Sequence, residues 1–184
     1  LFIGWSILMC SCHPNTSSTL KMAMQMENVS TDSILFYLQQ IEEPSRLSLE
    51  EQGDYYLLFY KATLWKTGKP NDSLLHAAIE CYDQGEQQLK QIKAHIEQSA
   101  SYLYRNLPDS TLQLTDKLLN ESQLDDTLKT HIYGLRRVAY LRKKAYKDAL
   151  AMADSSRQLT RRINDTLYYF STSQQYLQIL EKMQ

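Results

Sequence analysis

The histidines are the first residues to consider for chemistry, because an imidazole can hold a metal ion or move a proton near neutral pH. The four of them are scattered, at positions 13, 76, 95 and 131. Only His76 with Glu80, and His131 with Asp125 or Asp126, are near enough in sequence to share a neighbourhood. Neither pair has the spacing of a zinc-binding helix motif. We therefore expect these histidines to lie in solvent or to cap turns.

Adjacent carboxylates are the second candidates, since paired acids can carry out acid–base chemistry. Three such pairs occur, at 42–43, 50–51 and 125–126. All three flank predicted helix ends, where the helix dipole and solvation explain them. The chain has no nucleophile elbow, no glycine-rich phosphate loop and no nucleophile with an evident base. We expect no catalysis, no metal site and no cofactor, with a glycosidase-like carboxylate pair as the alternative.

The amino terminus contains two of the three cysteines. An apolar run, LFIGWSILM, occupies residues 1–9 and is too short to span a bilayer, which takes about 20 residues. It has the length of a signal-peptide hydrophobic region. The following pattern, Leu8-Met9-Cys10-Ser11-Cys12, resembles a bacterial lipobox. The resemblance implies a signal peptide over residues 1–12, lipidation of Cys12, and an exported protein held at a membrane. A plain cleaved signal and a buried amino-terminal segment are the alternatives.

The remaining cysteine, Cys81, has no second cysteine or histidine at metal-ligand spacing and is expected to be an ordinary core residue. Residues 13–30 are rich in Ser and Thr. We predict that they form a flexible spacer, with a short Met-rich helix from 20 to 26 left open as an alternative.

The basic residues are concentrated in one part of the chain. Residues 129–162 hold ten Lys or Arg and two Asp, whereas residues 1–128 hold nine Lys or Arg and seventeen Asp or Glu. A basic and aromatic mixture can bind nucleic acid, but an exported protein seldom meets it. Two interpretations remain, a solvated helix face and a docking patch for an acidic partner.

The elements that hold these residues are predicted to be helices. Five Gly and four Pro in 184 residues are too few for a strand-and-turn protein of this size. Aspartate followed by a small residue and leucine recurs at positions 32, 72, 109 and 148, at separations of 40, 37 and 39 residues. Each Asp is expected to accept hydrogen bonds from the first free amides of a helix. First helices are predicted at 48–67, 86–105, 125–144 and 165–183, and second helices at 32–43, 72–84, 109–121 and 146–159.

The segment 130–159 is the best-formed unit. Tyr133, Ala139, Tyr140, Tyr146 and Ala149 stand where a helix pair needs large residues beside small ones at the crossing. In these residues it resembles a tetratricopeptide repeat. It departs from that pattern at positions 136 and 137, where arginines replace leucine and glycine, and at position 153, where alanine replaces a larger residue. The resemblance implies an all-α, right-handed solenoid of antiparallel helix pairs over residues 31–184, with seven to eight helices.

With a lipobox-like start followed by helical repeats, the chain is similar to bacterial repeat lipoproteins. This similarity implies a function. The expected protein is a non-enzymatic scaffold in the bacterial cell envelope, facing the periplasm or the cell surface. It is expected to bind a protein or peptide, with an acidic partner as one alternative, and to bind neither nucleic acid nor a small-molecule substrate. In related repeats the first helices line the binding groove. The candidate contacts are therefore first-helix residues off the core stripe: Tyr56, Tyr60, Tyr102, Arg136, Tyr140 and Lys143. The alternatives are a sensor arm of a membrane-bound regulator and a cytoplasmic repeat adaptor.

Overall fold

The computed structural model describes residues 16–181 and residue 183. That part of the chain is all-helical, without strands. The helices are α1 (Thr16–Gln25), α2 (Thr31–Gln39), α3 (Leu49–Thr67), α4 (Asp72–Gln84), α5 (Gln88–Tyr104), α6 (Pro108–Leu118), α7 (Asp126–Arg142), α8 (Tyr146–Arg162) and α9 (Thr166–Glu181), with a 3-10 turn at Pro44–Arg46.

The helices pack in consecutive pairs. The pairs are α1 with α2, α3 with α4, α5 with α6 and α7 with α8, and α9 packs on α8. First helices of neighbouring pairs also touch, α1 on α3 and α5 on α7. The predicted all-α, solenoid-like class of fold is confirmed, and all eight predicted helices are present. Among the described residues no helix combines the length and the apolar character needed to cross a bilayer.

Helix α1 corrects the sequence prediction for residues 13–30. From Thr16 onward the expected flexible spacer is a packed helix, the first member of an additional pair. Leu20 and Ala23 are buried in the same cluster as Leu38 of α2 and Leu58 of α3. The Ser and Thr content suggested a spacer, but three positions of α1 supply enough buried surface to hold it against its neighbours. Residues 1–12, including the predicted signal peptide and Cys12, lie outside the described residues.

Four helix ends share one backbone geometry without glycine. A residue with positive φ follows each helix, and the next amide bonds back to a carbonyl five residues earlier. The left-handed residues are Glu86 (φ 54), Asn106 (φ 59), Lys144 (φ 58) and Asn164 (φ 56). The returning amides are those of Gln87 to Tyr82, Leu107 to Tyr102, Ala145 to Tyr140 and Asp165 to Thr160. This repeated closure ends each helix and lets the next helix begin two residues after the left-handed residue.

Three of the four recurrent aspartates join neighbouring helix pairs rather than cap their own helices. Asp32, at the start of α2, accepts from Lys66 at the end of α3 at 2.8 Å. Asp72 pairs with Arg105 in the same way, and Asp109 pairs with Lys143. The expected capping hydrogen bonds are wrong at α2, where the hydroxyl of Ser30 accepts from the Ser33 amide instead. They are also wrong at α4 and α6, whose caps make no side-chain hydrogen bond.

One glycine sets the close packing of α3 on α4. A Cβ built at Gly53 would lie 2.6 Å from Cδ1 of the Tyr82 ring, which is fully buried. The Tyr82 hydroxyl donates to Asp54 Oδ1 at 2.8 Å, and burial raises the pKa of this phenol. On the same helix Cys81 is half-buried, and desolvation raises the pKa of its thiol, as expected of an unreactive core cysteine.

Candidate binding groove

A row of polar side chains crosses the first helices at nearly constant spacing. Its members, Glu27, Lys61, Glu97, His131 and Tyr168, are separated by 34, 36, 34 and 37 residues. Lys61 Nζ lies 2.9 Å from Glu27 and 3.9 Å from Glu97. The rings of His131 and Tyr168 are 6.1 Å apart between centroids. We call this set the polar row.

The polar row runs through an open groove of about 350 Å³ between α3, α5 and α7. Its charged and polar lining comprises Lys61, Lys93, Glu97, Asp125, Thr127 and His131. The apolar lining comprises Leu89, Ile96 and Leu128. Leu89 is 42% exposed, while Ile96 and Leu128 are buried, so the groove has an apolar floor and a charged rim. All of these residues lie on first helices or at their starts.

Local helix geometry positions the α7 side of the groove. Asp125 is the N-cap of α7, and its carboxylate accepts from the Leu128 amide at 2.7 Å. This bond fixes the first turn, which points Leu128 inward and leaves His131, one turn later, exposed on the groove side. On the α5 side, Lys90 binds Asp54 at 2.6 Å and Glu50 at 2.7 Å, which ties α5 to α3.

Glu97 is the electrostatically unusual member of the groove. A third of its side chain reaches solvent, yet the surrounding helices desolvate the carboxyl and raise its pKa, despite attraction to Lys61 and His131. Lys61 gives its short contact to Glu27 and only a long one to Glu97. The Glu97 carboxylate is therefore poorly neutralised and would gain from a further cation or hydrogen-bond donor.

Two of the predicted contact residues, Arg136 and Tyr140, come together, but Arg136 is buried and Tyr140 is half-buried. Arg136 is buried, pairs with Asp116 of α6, and donates to Thr115 Oγ1 at 3.3 Å and to the Tyr140 hydroxyl at 3.2 Å. Lys143 is exposed and forms an ion pair with Asp109 of the preceding helix pair. Three of the ten basic residues of 129–162, Arg136, Arg142 and Lys143, thus join α7 to the helices before it.

The predicted tyrosines do not form one surface either. Tyr60 is 0% exposed, and desolvation raises its pKa to about 12, so the expectation that it contacts a partner is wrong. Tyr56 is half-buried between the first two core clusters. Tyr102 lines a separate depression of about 360 Å³ with Asp72 and Arg105. A first helix packs on its own pair and on neighbouring pairs, so positions off one apolar stripe can still be interior.

In the described part of the chain, no group of three or more His, Cys, Asp or Glu is arranged to hold a metal ion. Comparison of the chain with protein-family models, with curated proteins and with solved structures finds no match. The chemistry of the groove itself therefore provides the argument about function.

Proposed function

We propose that this protein is an exported, lipid-anchored scaffold of the tetratricopeptide-like type that binds a segment of a protein or peptide and carries out no catalysis. The observation that carries the proposal is the open groove crossing α3, α5 and α7. Grooves of this kind, with an apolar floor and a few polar groups, suit an extended or helical segment.

The groove also favours a partner segment that carries both apolar and basic side chains. An apolar side chain fits against Leu89 and Leu128. A basic side chain fits at Glu97, because that carboxylate receives only a long contact from Lys61. The acidic partner suggested by the basic residues of 129–162 has less support, because several of these residues already form ion pairs within the chain. The pairs are Arg136–Asp116, Lys143–Asp109 and Arg157–Asp154.

Binding is tested with an array of nine-residue peptides that pair leucine with either lysine or glutamate. The groove variant is Glu97→Gln/His131→Ala. The matched control is Glu80→Gln/His76→Ala, which makes the same two changes at an exposed pair on α4, 3.8 Å apart. We expect wild type and control to retain the same lysine-containing peptides and the groove variant to lose them. Equal retention by all three proteins would mean that the groove is not the binding site.

Anchoring is tested separately, by labelling cells with radioactive palmitate. The proposal expects labelling that globomycin blocks and that Cys12→Ala abolishes. A labelled Cys12→Ala protein would refute lipidation at this cysteine and would leave the groove experiment unaffected.

A further inference from the structure

Helix α9 is apolar on two opposite faces. One face packs on α8, with Thr172 and Ile179 buried. The other carries Leu167, Phe170 and Leu177, which are 86%, 65% and 58% exposed. At 100° per residue these three side chains share one side of the helix, opposite the buried pair. Large apolar side chains grouped on one exposed helix face are typical of a surface that another element or molecule covers.

The exposed side chains follow the heptad spacing of a coiled-coil seam. Steps of three, four, three and four residues connect Leu167, Phe170, Gln174, Leu177 and Glu181. We call these five residues the α9 seam. The seam extends along the length of α9, which begins at Thr166. It is about 21 Å long at 1.5 Å per residue, enough for several interlocking side-chain layers.

We propose that the α9 seam binds the α9 seam of a second copy of this chain in antiparallel orientation, forming a two-fold dimer. In antiparallel coiled coils each a position faces a d position of the other helix. A single register does this for the first four positions of the seam: Leu167 meets Leu177 of the second copy and Gln174 meets Phe170, while Glu181 lies beside the turn at 163–165 between α8 and α9. Every such contact occurs twice, as a two-fold interface requires.

Charge selects the antiparallel orientation over the parallel one. Exposed Arg161 and Arg162 lie beside the amino-terminal end of the seam, and Glu181 lies at its carboxyl-terminal end. Among the described residues, the acid that Arg162 contacts is Asp126, at the long distance of 3.7 Å. In the antiparallel pair these arginines approach Glu181 of the second copy, whereas a parallel pair would place the two Glu181 carboxylates together.

The proposal is tested by sedimentation of the full chain from ~1 to ~100 µM, a range that covers the affinity of a small interface. The seam variant is Phe170→Asp/Leu177→Asp. The matched control is Val29→Asp/Phe36→Asp, which replaces two apolar residues, 73% and 61% exposed, at the other end of the row of helices. We expect a dimer for wild type and control, and a monomer with an unchanged circular-dichroism spectrum for the seam variant. If that variant unfolds, Phe170→Gln/Leu177→Gln replaces it.

Orientation is tested by disulfide formation in a background with Cys10, Cys12 and Cys81 changed to Ser. A mixture of Leu167→Cys and Leu177→Cys proteins should form the mixed disulfide, while each protein alone should not, because like positions lie about 15 Å apart along the axis. Three results would overturn the proposal: a wild type that stays monomeric, a dimer that survives the seam substitutions, and disulfides between like positions. The first of these is expected if the α9 seam is covered by another protein or by further chain.

Discussion

The guanidinium of Arg136 lies over the ring of Tyr140, 5.8 Å from its centre, and pairs with Asp116 of the preceding pair of helices. The Arg136 side chain is 11% exposed and that of Asp116 is 63% exposed. We expect Asp116→Asn to lower the free energy of unfolding by about 1–2 kcal/mol, because it leaves a buried cation without its counter-charge. Arg136→Leu should cost less, because leucine fills the site without a charge. Urea unfolding of both variants measures the difference, and a larger loss for Arg136→Leu would contradict this account.

Gly53 and Gly134 form a matched pair for testing the packing of α3 on α4. Gly53→Ala places a methyl group against the buried Tyr82 ring and is expected to cost about 1–3 kcal/mol. Gly134→Ala meets no atom within 4 Å in the middle of α7 and should instead stabilise the protein by about 0.5–1 kcal/mol. Thermal or urea unfolding of the two variants gives the sign of each change. A stabilising Gly53→Ala would show that α3 and α4 can separate at Gly53, and a destabilising Gly134→Ala would contradict the open space at Gly134.

The raised pKa of Glu97 predicts a pH-dependent difference in stability. A carboxyl that binds its proton more tightly in the folded state stabilises the fold below its unfolded pKa, near the ordinary value of 4.5, and this contribution is lost as the pH rises through the folded pKa. Glu97→Gln should therefore be more stable than wild type at neutral pH and similar to it at pH 4. The measurement is urea unfolding of both proteins between pH 4 and pH 8. A constant difference across that range would contradict the assigned pKa direction.

The pair Asp32–Lys66 tests how much the contacts between helix pairs contribute. Both side chains are more than half exposed, so we expect Asp32→Ala and Lys66→Ala each to cost less than about 1 kcal/mol. Their coupling in a double-mutant cycle should disappear in about 1 M salt, where screening acts within about 3 Å. A coupling that persists in high salt would indicate a contact other than the ion pair.

The helices could be predicted because the spacing of apolar residues and the residue types at helix starts are local features of the sequence. The predicted span 72–84 coincides with α4. Asp125 and Asp165, which are not among the four recurrent aspartates, cap helices by accepting from the amides of Leu128 and Tyr168. Helix ends were harder to place. The span 109–121 was predicted for α6, which ends at Leu118. Several helices end in a left-handed residue that is not glycine, such as Glu86 or Lys144. These residue types do not indicate a left-handed conformation in the sequence.

The candidate site was less predictable, because it depends on which side of each first helix faces its neighbours. Tyr60 and Arg136 are chemically suited to binding, but packing with adjacent helices places them inside. The polar row did leave a signal, a separation of 34 to 37 residues between Glu27, Lys61 and the members that follow. A search for polar as well as apolar positions at the repeat period would have found it.

The contacts between consecutive helix pairs also have a mechanical consequence. Each helix pair is kept in place by contacts with the neighbouring helix pairs, such as the ion pairs Asp72–Arg105 and Asp109–Lys143. A pulling force on the two ends would be carried by these interfaces in series, and the pairs would detach one after another. Each released unit of roughly 37 residues would lengthen the chain by about 100 Å or more. Between a proposed lipid anchor at one end and a partner bound in the groove, the row of helices would act as an extensible tether.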